Sequence, residues 1–156
     1  MIAGTRSYGR RLSVAIGMAL GLVATSALGV FGLTAKAHAA PTPCASSARA
    51  CMSLSAHRAW LTDGAGHVVY GPVPAHGGPA SAPTPAGTFQ VIGKDAHFYS
   101  TQFHAPMPYS VFFYPGDAFH ADNPATASNG CIHLSAGAAQ RFFNTLRMGD
   151  QVQIVR

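Results

Sequence analysis

The chain has 156 residues, with ten basic and five acidic side chains, eight histidines, three cysteines and a formal charge of +5. All five acids are aspartates, and three of them adjoin a glycine, which leaves little material for paired-carboxylate catalysis. Four of the ten basic residues lie within the first 36 positions, so the rest of the chain is nearly neutral and has no electrostatic footprint for nucleic acid.

Arg6, Arg10 and Arg11 open the chain, and Leu12 to Leu33 is almost entirely apolar or small. Ala37-His38-Ala39 follows as a small-x-small cleavage pattern, which predicts a signal peptide over residues 1–39 and an exported protein starting at Ala40. The apolar run is long enough to span a bilayer, so an uncleaved anchor is the alternative, and the only membrane contact expected. The remainder suits one compact domain, expected to be monomeric.

Residues 40–51 read as a short tether, in which Cys44 and Cys51 are spaced to close a disulfide loop. The compact domain itself is expected over residues 52–156. Ala59 to Leu61 and His67 to Tyr70 flank Asp63-Gly64-Ala65-Gly66, the pattern of a hairpin. Gly71 to Gly87 carries five prolines and is expected to run extended outside any central strand. Thr88 to Ile92 is a strand candidate, and Asp95 to Pro108 reads as a loose strand plus a loop. Tyr109 to Tyr114 is the strongest strand, with five of its six residues β-branched or aromatic. Pro115-Gly116-Asp117 turns it into Ala118-Phe119-His120. Ser135 is placed to cap a helix running to about Leu146, and Gln151 to Val155 alternates as a final strand. The fold class is mainly β with one principal helix, as two packed sheets or a squashed barrel.

Cys131 is the odd cysteine of a chain read as exported, and so either crosslinks to another chain or is a thiol kept for chemistry. It follows Gly130 and stands eleven residues after His120. A thiol attacks acyl carbons as its thiolate, and imidazole has the pKa range to take that proton and return it to a leaving amine. His120 is therefore the candidate base, holding the Cys131 sulfur deprotonated, with Asp122 or a backbone carbonyl near residue 121 fixing the ring. Gly130 lets the backbone approach a substrate and turn its amide, with that of Cys131, toward an oxyanion. The other histidines, His57, His67, His76, His97 and His104, read as scattered surface residues, and the phenylalanines from Phe112 to Phe143 as core.

Phe119-His120 followed by Ser128-Asn129-Gly130-Cys131-Ile132-His133-Leu134 resembles the signature of bacterial L,D-transpeptidases, the YkuD-type catalytic domain. Thr84-Pro85-Ala86-Gly87-Thr88-Phe89 is similar to a run in the first half of that domain. The resemblance covers roughly Ala59 to Arg156. It implies that Cys131 accepts an acyl group from a peptidoglycan stem tetrapeptide, that His120 is the general base with its outer nitrogen held by a backbone carbonyl, and that a diaminopimelate amine receives the acyl group in a 3→3 crosslink. Family members also transfer to water, and carbapenems acylate the same sulfur. No cofactor or metal is implied. Ser128, Asn129, His133 and Tyr109 are the expected substrate-binding residues. Two departures stand out: Asn129 occupies a position where the family pattern has histidine, and the interval from His120 to Cys131 is short. They leave a weak or inactive wall-binding module, or a cysteine hydrolase, as alternatives.

Overall fold

The computed structural model describes residues 41–156; the signal peptide expected over residues 1–39 lies outside them. In chain order the strands are β1 (Ala50–Ser53), β2 (Arg58–Thr62), β3 (Val68–His76), β4 (Gly87–Gln90), β5 (Gly93–Ser100), β6 (Ala105–Tyr114), β7 (Asp117–Ala121), β8 (Ile132–Leu134) and β9 (Gln151–Val155), with helix α1 (Ala136–Thr145) between the last two. They form one curled sheet in the order β4-β9-β1-β2-β3-β8-β7-β6-β5, a half-barrel with α1 packed against it. The fold is mainly β, as the sequence suggests.

Helix α1 carries the core. Ala138, Ala139 and Phe142 recur at helical spacing and are buried together with Leu146 against Phe113, Phe119, Ile132 and Leu134. Phe119 stacks tilted on both Phe113 and Phe142, with ring centroids 5.2 and 5.1 Å apart. Ser135 precedes the helix but makes no side-chain cap bond.

Three sequence expectations are corrected. The tether ends earlier than residue 51: Ala50 and Cys51 are fully buried in β1, which is paired with β2 on one side and β9 on the other. Cys44 is joined to Cys51 by a disulfide, which ties the entering chain to that strand. Next, the proline-rich stretch does join the sheet, because β3 runs through Pro72 and Pro74 to His76. Only Ala75 and His76 of β3 pair with β8, so the prolines face a side with no ladder to lose. Finally, the loose strand plus loop expected over Asp95 to Pro108 is a regular hairpin, with a strand to Ser100, a turn over residues 101–104 and then the start of β6. Strands β5 and β6 pair from Gly93↔Phe112 to Ser100↔Ala105, skipping only Ala96 opposite Tyr109, where Tyr109 takes a φ of 58°. The hairpin bends there, bringing Phe98 edge-on to Phe112 with centroids 5.0 Å apart although they lie at distant register positions. That bend folds the hairpin tip toward the site.

Candidate active site

β7 and β8 are parallel neighbours, with Phe119 opposite Ile132 and His120 opposite His133. Side chains alternate across a strand. Phe119 and Ile132 therefore enter the helix-side core, while His120 and His133 face the other way, into a cleft. Cys131, two residues before His133, lines the same cleft, with Asp122, Ser128 and Asn129. The bent β5–β6 hairpin supplies the opposite wall through Ser100, Phe103, Ala105, Pro106 and Met107. Phe103 is half exposed, a large apolar side chain at the mouth of the cleft.

Cys131 is a free thiol, only 8% exposed, packed with Met107 and Ala118. Its Sγ–H points at the Gly116 carbonyl, 3.6 Å away. Burial pushes the thiol up to about 11, the carboxylate of Asp117 adds to this, and a bond from the Ala118 amide works against it. Nδ1 of His120 lies 3.2 Å from the Ala121 carbonyl. A carbonyl oxygen only accepts, so Nδ1 carries the proton and Nε2 is left as the basic nitrogen. Burial, then the neighbouring His133, holds His120 below its ordinary 6.5, while the Ala121 carbonyl and Asp122 pull the other way.

These directions run against a standing thiolate. Burial disfavours the charged form of both groups, holding the proton on the thiol and off the imidazole. Both directions favour a neutral thiol beside a neutral imidazole at rest. Of the two groups considered for fixing the ring, the backbone carbonyl of Ala121 does so; Asp122 instead lies 3.5 Å from Nε2 of His133.

The turn before the sulfur is tightly wired. The Ser128 hydroxyl donates to the Cys131 carbonyl and accepts from the Gly130 amide at 3.2 Å. The Gly130 amide expected at an oxyanion is thus engaged in the resting site. Thr84 Oγ1 donates to the Gly130 carbonyl and accepts from the Gly78 amide, both at 2.8 Å. This gives the Thr84-Pro85 motif a role that its sequence alone did not disclose: it holds the cysteine turn against the loop after β3. Gly130 has a φ of 115°, and a Cβ there would run into the Asp117 carboxylate, whose Cγ would lie 3.0 Å away.

Of the expected substrate-binding residues, Ser128, Asn129 and His133 line the cleft. Asn129 is exposed; His133 is buried, its Nδ1 donating to the Thr126 carbonyl at 3.0 Å. Tyr109 is not in the cleft. Its positive φ turns the side chain toward α1, where it packs on Phe143 and its hydroxyl accepts from Gln140. Two histidines are also less scattered than expected. His76 pairs with His133 across β3 and β8, and the His57 ring lies 4.3 Å from that of His76. Among the described residues no group of three or more histidine, cysteine or acidic side chains is arranged to hold a metal ion. Nor, among them, is any helix long and apolar enough to cross a membrane.

The family model of the L,D-transpeptidase catalytic domain (YkuD) matches residues 47–154. No curated protein matches the chain. Among solved structures it is similar to the L,D-transpeptidase of Xylanimonas cellulosilytica, with 24% identity, a TM-score of 0.65, and 73% of this chain and 63% of that one covered. L,D-transpeptidase 1 of Mycobacterium tuberculosis matches at 27% identity and a TM-score of 0.57, covering 69% and 60%. L,D-transpeptidase 3 of the same organism, solved with a faropenem-derived adduct, matches at 23% identity and a TM-score of 0.60, covering 69% and 59%. The chain thus spans under two thirds of the length of each of these relatives. With one domain model matched from β1 to β9, and neighbours that share the curled sheet, the chain belongs to the L,D-transpeptidase catalytic domain family.

Proposed function

We propose that the domain is an exported cysteine acyltransferase of the cell envelope, which takes an acyl group from a peptidoglycan stem tetrapeptide and passes it to a diaminopimelate amine to form a 3→3 crosslink. The observation that carries this reading is the shared cleft of Cys131 and His120, with His120 in the tautomer that leaves Nε2 free to accept a proton. Family membership supports the substrate class.

In this reading Sγ attacks the donor carbonyl as its proton passes to Nε2 of His120. The C–S bond forms, and the tetrahedral intermediate collapses by breaking the C–N bond to the terminal residue of the donor. The imidazolium returns its proton to that leaving amine. Because burial holds the proton on the thiol, proton transfer accompanies the attack in this reading. Ser128 and Asn129 flank the sulfur and position the donor backbone; His133 supports them from the floor of the cleft.

Product analysis separates transfer from hydrolysis. With a tetrapeptide donor and a diaminopimelate-containing acceptor, the expected product is the crosslinked dimer, in excess over the tripeptide. Tripeptide alone, at saturating acceptor, supports the hydrolase reading, and unchanged donor supports the wall-binding module.

A further inference from the structure

Asp117 is the group around Cys131 that the proposed reaction leaves unused. It sits at the start of β7, partly buried, with its carboxylate against the backbone of Gly130. Among the described residues no hydrogen bond or ion pair engages that carboxylate. It stands in a poor place for a bystander. A negative charge beside the sulfur opposes thiolate formation, and burial raises the acid's own pKa above the ordinary 3.8. The approach beside it is open: Gly116 is exposed, a Cβ on it would meet nothing within 4 Å, and its carbonyl is the group that the Cys131 sulfur touches. Asp117 is not part of the cleft wall that carries His120 and Asn129.

We infer that Asp117 is the acceptor-selecting residue, binding the primary ammonium group of the incoming acyl acceptor beside the Cys131 thioester and discriminating against water. The inference rests on the acyltransferase reading above. A side-chain amine arrives protonated, since its pKa is about 10.4. It must lose a proton before it can attack; the unpaired carboxylate holds the cation beside the thioester, and that proton is given up to solvent as the nitrogen turns to the carbonyl. The nitrogen then attacks the thioester carbonyl, the C–N bond forms and the C–S bond breaks. The second proton on nitrogen leaves through His120 to the departing sulfur, restoring the thiol. Water carries no charge and gains nothing from Asp117.

The test uses the acyl-enzyme formed from a tetrapeptide donor, partitioned between nucleophiles, in wild type, Asp117→Asn and Asp117→Ser. With a diaminopimelate-type amine, both variants are expected to lose about tenfold or more in the ratio of aminolysis to hydrolysis. With hydroxylamine, which is uncharged at neutral pH, the ratio is expected to stay at the wild-type value. Acylation by the donor is expected to be unchanged or faster, because a charge opposing the thiolate has gone. Equal partition ratios in wild type and variants, or equal losses with both nucleophiles, overturn the inference while leaving the acyl-enzyme reading intact. A wild type that never acylates takes down both.

Discussion

His120→Ala lowers the rate of Cys131 acylation by about 10²–10⁴-fold, the usual contribution of a positioned general base. The sign of the pH dependence follows from the two resting pKa directions. His120 is held below 6.5, so it is an available base throughout neutral pH and loses that role only as pH falls through its lowered pKa. Cys131 titrates near 11, so the thiol stays protonated over the same range. Wild-type acylation should therefore rise through one step below pH 6.5 and then hold level across neutrality. In His120→Ala that step disappears, and the rate climbs by about tenfold per pH unit with the thiolate fraction. Stopped-flow acylation across pH reads both effects. A wild-type profile that falls again just above neutrality would show instead a standing imidazolium–thiolate pair.

Gly130→Ala has the second largest expected effect, and it acts through the backbone. Position 130 holds a φ of 115°, which costs a non-glycine residue about 1–3 kcal/mol. The new methyl would also press on the Asp117 carboxylate, which borders Gly130 and must swing aside to admit it. Ser128 and Thr84 hold the same turn from two sides, so the strain moves the sulfur rather than dissipating in a loop. A displacement of about 1 Å at a reacting atom can cost about 10²-fold. Denaturant unfolding should show the stability loss, and acylation kinetics the rate loss. A fully active, fully stable variant would mean that the turn does not set the position of the thiol.

Much of the site was legible because its parts are close in sequence. His120 and Cys131 lie at the ends of one loop, and pairing β7 in parallel with β8 brings them to one face. The Tyr109 to Tyr114 strand and helix α1 were readable from side-chain type and period alone. What the sequence hid depends on chain segments meeting in space. Tyr109 looks like a groove residue until its positive φ turns it toward Phe143, a conformation that the surrounding fold imposes on a residue with no local preference for it. Phe103 and Met107 become a cleft wall only because the hairpin bends back on Phe112. Pro72 and Pro74 argued against a strand, and that argument fails where one side of β3 has no partner. The resting state of the sulfur was hidden for a related reason: sequence supplies the histidine but not the burial that raises the thiol.

Intact-mass spectrometry after incubation with a carbapenem tests the nucleophile most directly. The account predicts a single adduct on the wild-type domain, mapped to Cys131 and absent in Cys131→Ala. No adduct at any pH, or one that persists in Cys131→Ala, would contradict it.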